Sequence, residues 1–216
     1  MHHFAYRNGV LHCEDVSLEA VARELGTPAY VYSDATLRRH YQVLAEAFTG
    51  RNVLIAYAMK ANSNIGVLAT LGSLGAGADT VSGGEILRAL EAGIPASRIV
   101  FSGVAKTVEE MKLGLERGIH QFNVESMPEL LRLSRVAKEM GILTVGVVTK
   151  PFDWEGGRRM TNADNGLAEL EANVDSLIVV LNEKLLEVMG DDITQDEAFA
   201  HANDVLKNAV GGIAEI

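Results

Sequence analysis

Cysteine is almost missing from this chain. Its 216 residues hold one, Cys13, so no disulfide can close within it. That usage suits a reducing compartment and leads us to expect a cytoplasmic protein. Basic charge is also short. There are 19 Lys and Arg against 29 Asp and Glu, a formal net charge of -10, which argues against nucleic acid or an anionic membrane surface as a partner. No apolar run approaches the ~20 residues that a membrane-spanning helix needs. No basic stretch followed by an apolar one opens the sequence, so no secretory signal is expected. His2-His3 is too short to read as a metal site, and no metal is expected. Two phosphate-binding signatures are incomplete. Gly75-x-Gly77 lacks the third glycine of a dinucleotide fingerprint and precedes its strand. Gly103 to Thr107 ends in Lys-Thr without the glycine that a P-loop places before the lysine.

What is present is a regular alternation. The length allows one large or two small domains, and a hydrophobic fraction of 48% is enough to build a core. Strands are predicted at Ala29–Tyr32, Val53–Ala58, Ala78–Val81, Ile99–Phe101, His120–Val124, Leu143–Val148 and Leu177–Leu181. Between them lie helical stretches, at Ser17–Leu25, Asp34–Phe48, Ile65–Leu74, up to Leu90, from Thr107 to Arg117, from Ser126 to Met140, and near Leu167–Asn173. A last helix opens at Thr194. Thr107 with Glu110, Ser126 with Glu129 and Thr194 with Glu197 have capping-box spacing. Such alternation predicts an α/β fold with a mostly parallel sheet covered by helices, and ligands then bind at the C-terminal strand ends. The last helix keeps an apolar face at Ile213 and Ile216 with no stop signal, which suggests a chain cut inside an element.

Lys60 directly follows the second strand, in Tyr57-Ala58-Met59-Lys60-Ala61-Asn62. A lysine buried at that mouth would lose hydration and deprotonate more easily, and such an amine can form a Schiff base with a carbonyl compound or with pyridoxal phosphate. A solvated lysine capping a strand is the plain alternative. The neighbouring strand ends carry small and polar residues, in Asp79 to Glu85, Ser102 to Thr107 and Asn123 to Ser126. On the segments Tyr57–Asn64, Gly75–Glu85, Ile99–Thr107 and His120–Glu125, residues ~4–135 resemble diaminopimelate decarboxylases, in the PLP-dependent barrel class. The resemblance implies part of a TIM-type (β/α) barrel, a catalytic Schiff-base Lys60, and a cofactor pocket lined by Asp79, Ser82 and Glu125. The cofactor would act as an electron sink for the carbanion left when CO2 departs. The class's glycine-rich phosphate loop, pyridine-facing carboxylate, ring-stacking histidine and C-terminal β domain find no match, so PLP binding is expected to be weak or absent.

Texture changes near residue 140, where a polar loop at Asp153–Arg159 and Asn- and Asp-rich segments follow. Phe199 and Asn203 stand four apart on the last helix and share a face, where a ring could stack on a base and an amide could bond its edge. At helical spacing an aromatic residue is ordinarily core. Gly141–Phe152, Glu155–Met160, Val174–Leu186 and Asp196–Ile216 resemble FtsZ, the tubulin-like cell-division GTPase. The resemblance implies a Rossmann-like fragment over 136–216, with Glu155, Arg159, Asn182, Phe199 and Asn203 as nucleotide contacts and GTP as an alternative ligand. That family's phosphate loop has no counterpart here. The two readings meet within Ser134–Gly141. They predict a chimera, designed, natural or artefactual, that is inactive or binds PLP weakly, with a GTP-binding, polymerising cell-division module or a designed fold without activity as the alternatives; its halves could share one continuous sheet. A small molecule is the expected ligand if any, and exposed strand edges favour self-association.

Overall fold

The structure, a computed structural model, describes residues 2–189 and 193–214. The chain divides into two compact units, Met1–Glu129 and Leu130–Ile216. The division falls just before the expected seam at 134–141.

Unit 1 opens with a small antiparallel sheet of β1 (Phe4–Arg7), β2 (Val10–Cys13) and β3 (Val16–Ser17). Arg7 pairs with Val10 across Asn8 and Gly9, whose φ angles are +50° and +81°. Two left-handed residues make the tight hairpin turn that Asn-Gly favours. Helix α1 (Leu18–Leu25) follows, with the Ser17 hydroxyl accepting from the Ala20 N–H. The strand predicted at Ala29–Tyr32 does not form. Tyr30 is 92% exposed, and no neighbouring strand supplies hydrogen bonds there. Helix α2 (Asp34–Ala47) is capped by Ser33.

Four strand–helix steps then run in strict order: β4 (Ala56–Ala58), α3 (Ile65–Ser73), β5 (Gly77–Thr80), α4 (Gly83–Glu91), β6 (Ile99–Phe101), α5 (Val108–Arg117), β7 (Gln121–Phe122) and α6 (Met127–Glu139), of which only the first turn belongs to unit 1. The strands pair in parallel as β4-β5-β6-β7. A doubly wound sheet reverses strand order at a switch point, whereas an arc of a (β/α) barrel adds each strand beside the last. This sheet does the latter, and β4 and β7 are its edges. One face packs on the helices, where Ala78, Ile99 and Phe101 join Met59, Leu68, Ile86, Ala89 and Ile94 in the core. Burying each large side chain contributes roughly 1.5–3 kcal/mol. Gly77 is required at the β5–β6 contact, because a Cβ there would lie 2.3 Å from the Arg98 carbonyl oxygen.

Unit 2 holds β8 (Val145–Lys150), α7 (Gly157–Glu171), β9 (Ser176–Leu181), α8 (Asn182–Met189) and α9 (Gln195–Ala214). β8 and β9 pair in parallel over six residues, from Val145↔Ser176 to Lys150↔Leu181. They form a separate two-stranded sheet, so the single continuous sheet anticipated from the alternation is not observed. α7 is twice the length expected from Leu167–Asn173. A small core gathers Phe152, Ala198 and Ala202, with Leu185, Leu186 and Ile193 packed against it. Ile216 lies outside the described residues, as does the side chain of Ile213. Among the described residues no helix is long and apolar enough to cross a membrane, and no cluster of His, Cys, Asp or Glu could hold a metal ion.

Candidate functional site

The parallel register places the unit 1 residues. Ala58 pairs with Asp79, and Asp79 pairs with Val100, which pairs with Gln121. Side chains alternate along a strand, so Asp79 stands on the opposite face from the helix-covered Ala78 and Thr80. Lys60 lies two residues beyond Ala58, in a short 3-10 turn, Met59–Ala61. Lys60 therefore sits just past the C-terminal end of β4, the strand that pairs with β5 and its Asp79. Glu125 follows β7, three strands away, about 14 Å of sheet at the usual strand spacing.

Lys60 is exposed, the solvated alternative of the two that its place after a strand leaves open. The reason is the position of β4, an edge strand with a neighbour on one side only. The Lys60 side chain is open to solvent. Asp79 is half-buried, and its Oδ1 is a buried acceptor without a donor. Ser82 serves its own helix, its hydroxyl capping α4 by accepting from the Glu85 N–H at 3.3 Å. Glu125 is exposed and is not brought to Lys60.

The start of α4 is poorly suited to a phosphate. The Val81 N–H donates to Glu85 Oε2 at 2.7 Å, and the Gly83 N–H to Glu110 Oε1 at 2.8 Å. Glu110 also closes a capping box with Thr107 on α5. The Gly83 N–H, and after it the Thr107 N–H, hold the Glu110 carboxyl below the usual carboxylate range. Carboxylates thus already occupy donors that an anion would need.

One group at these strand ends escapes sequence reasoning. Lys106 is 2% exposed. Its ammonium donates to the carbonyls of Gly103 at 2.5 Å and Asn123 at 2.7 Å, and to Glu129 Oε1 at 2.5 Å. It also lies 5.2 Å from the Phe101 ring centroid. Lys106 is legible in sequence only as the end of a failed P-loop pattern. Its partner Glu129 looks like the second half of a capping box. The Ser126 hydroxyl does accept from the Glu129 N–H at 3.4 Å, but the Glu129 carboxylate goes to Lys106.

In unit 2 the five expected nucleotide contacts do not converge. Glu155 pairs with Arg159 at 2.6 Å and accepts from the Phe152 N–H at 2.9 Å. Phe199, 39% exposed, packs edge-on against Phe152 and Trp154, with centroids 5.5 and 5.4 Å apart. Its packing is that of a core-edge residue. Asn203 is exposed one turn further along α9. Asn182 is 4% exposed with its Oδ1 unpartnered. It lines a cavity of about 180 Å³ with Lys150, Pro151, Asp153, Met160 and Glu183. None of the other four residues belongs to that lining.

Comparison with known proteins bears on both units. Over 140 residues the chain is 53% identical to a diaminopimelate decarboxylase of Pseudomonas fluorescens, covering 64% of this chain and 34% of that protein. The chain thus spans about a third of the length of the curated relatives it matches. A crystal structure of diaminopimelate decarboxylase from M. jannaschii superposes with a TM-score of 0.65 at 30% identity, covering 83% of this chain and 46% of that one. A protein of Aquifex aeolicus gives 0.68 at 33% identity, with 96% and 51% covered. These matches carry the barrel reading of the strand order and give no support to an FtsZ segment, a Rossmann-like fragment or a chimera. The family described as "Pyridoxal-dependent decarboxylase, pyridoxal binding domain" matches residues 34–210, a span that includes the expected seam. With that match over more than half of its length and a sequential parallel sheet, this chain belongs to the pyridoxal-dependent decarboxylases, as a member of their pyridoxal-binding-domain family.

Proposed function

We propose that the chain binds pyridoxal phosphate through Lys60, and that it does so as part of a decarboxylase acting on diaminopimelate. The observation that carries this reading is the placement of Lys60, open at the end of β4, one strand from the unsatisfied Oδ1 of Asp79. The donor set fits the cofactor in part. Lys60 supplies an accessible primary amine for the aldehyde, and Asp79 supplies a carboxylate oxygen in need of a donor. The engaged donors at α4 make phosphate binding weak, and weak binding is the expected state of this chain. When bound, the cofactor supplies an electron sink for the charge left as the substrate's C–C bond to carboxylate breaks and CO2 departs. Lys60 would hold the group through its aldehyde carbon, and the unpartnered Asp79 Oδ1 would accept a hydrogen bond from it. The diaminopimelate assignment comes from the names of the relatives.

The test is borohydride reduction after incubation with PLP, followed by peptide mapping. Lys60 should carry most of the label. Equal labelling of all exposed lysines, or none at Lys60, overturns the reading.

A further inference from the structure

Lys106 takes no part in the function proposed above, yet its ammonium touches three segments at once. Gly103 belongs to the loop after β6, Asn123 to the loop after β7, and Glu129 to the first turn of α6. Further bonds continue the same lacing. The Ser102 N–H donates to the Thr80 carbonyl at 2.8 Å, and the Asn123 N–H to the Phe101 carbonyl at 2.9 Å. The Asn123 side-chain amide donates to the Ser102 hydroxyl at 2.9 Å. Gly103 presses on the loop after β5, where a Cβ would collide with the Val81 carbonyl. Val81 adjoins Ser82 and lies two residues beyond Asp79.

We infer that Lys106 is a positioning residue for the strand-end site: its buried ammonium locks the loops after β6 and β7 together and, through Gly103, fixes the loop after β5 that follows Asp79. The inference rests on the pyridoxal reading and adds to it a residue that never touches the cofactor. A buried charge pair costs desolvation, and an apolar pair of similar volume often stabilises a fold as well or better. What an apolar pair cannot supply is three directed donors to two carbonyls and a carboxylate. A buried lysine that uses its donors on two loops and a helix therefore points to loop geometry, not to bulk stability.

The experiment compares the wild-type chain with the double variant Lys106→Met/Glu129→Met, checked for folding by its thermal transition. The first arm needs no cofactor. Amide hydrogen exchange should quicken about tenfold across 102–106 and 123–126 while β5 and β6 stay protected. The second arm uses PLP itself. Lys60 should still be labelled, but the circular dichroism induced in the bound chromophore should fall and the apparent Kd rise about tenfold, as expected for misplaced contacts. Unchanged exchange and unchanged PLP binding in the folded double variant overturn the positioning role. Failure of the wild-type chain to label at Lys60 overturns the pyridoxal reading, with the exchange arm still deciding whether Lys106 holds the loops. If the double variant does not fold, Glu129→Asp, which draws the carboxylate back by one methylene, takes its place. The same loops should then exchange faster, and unchanged exchange counts against the inference.

Discussion

The two units are built from the same parallel strand–helix–strand step, yet they bury side chains to different depths. Unit 1 has four strands in one sheet, so β5 and β6 have neighbours on both sides. Ala78, Thr80, Ile99 and Phe101 on those strands are fully buried. Unit 2 has two strands, so both are edges, and no residue of β8 or β9 is fully buried. Of the ten largest fully buried side chains among the described residues, only Phe152 belongs to unit 2. Local pattern makes a strand; lateral neighbours make it a core strand. Matched perturbations of the two units should therefore have unequal consequences.

The largest effect is expected at the buried charge pair of unit 1. Lys106→Met alone leaves the Glu129 carboxylate buried without its cation, which should cost about 3–5 kcal/mol. Denaturant unfolding of the single variant beside Lys106→Met/Glu129→Met measures it, and the double variant should recover most of the loss. Equal destabilisation by both would mean that the ammonium's carbonyl bonds, not the ion pair, carry the energy.

Matched ring deletions come next. Phe101→Ala and Phe152→Ala each remove a fully buried ring, at about 3–5 kcal/mol apiece. The consequences should differ. Phe101 has seven other buried residues around it in its cluster, whereas Phe152 has two. Amide exchange should show β5 and β6 weakened but protected after the first change, and β8 and β9 unprotected after the second. Retained protection of β8 and β9 in Phe152→Ala would show that unit 2 does not depend on its small core.

A smaller contrast lies in the capping boxes that open α5 and α9. Glu197 accepts from the Thr194 N–H and hydroxyl, and the Thr194 N–H leads in holding its carboxyl below the usual range. Glu110 accepts the equivalent pair and the Gly83 N–H of α4 as well. A carboxylate whose folded pKa is depressed adds stability above its unfolded value, ~4.3, and loses it as pH falls through the folded pKa. Acid should therefore weaken unit 1 through Glu110 more than unit 2 through Glu197. Glu110→Gln should flatten the stability–pH curve below about pH 4.5, and Glu197→Gln should flatten it less. Equal flattening would show that the cross-helix bond to Gly83 adds nothing.

Much of this architecture is legible in sequence, and the misses have physical causes. Ile99–Phe101 is read to the residue because a β-branched pair and a ring sit between clear breakers. The hairpin at Asn8-Gly9 has an open turn signal, but the alternation on either side is too short to mark strands by itself. Ala29–Tyr32 has strand composition, but β-propensity reflects the surface a strand packs on, and none is supplied there. α7 hides behind Asn162, Asp164, Asn165 and Gly166, weak helix formers; packing against β8 overrides them, as the approach of Leu170 to Gly146 shows. At the site, Lys60 is readable from its place after a strand. Its exposure is not, because burial depends on whether the far side of β4 has a neighbour. Lys106 and Glu129 are 23 residues apart, and no local pattern joins them.

The smallest expected effect is that of GTP on unit 2. Nucleotide contacts would need Glu155, Arg159, Asn182, Phe199 and Asn203 to face one space. Instead Glu155 and Arg159 satisfy each other, Phe199 is packed on two rings, and Asn182 lines a separate cavity of about 180 Å³. A ligand present at a hundred times its Kd stabilises by about 2.7 kcal/mol, and each kcal/mol raises Tm by roughly 2–4 °C in a chain of this size. Millimolar GTP should leave the transition where it is. A rise of several degrees that vanishes in Asn203→Ala would reverse this conclusion. Asn203 is exposed on α9, so its truncation should not disturb the fold, and such a result would show that unit 2 rearranges to gather these residues around a base.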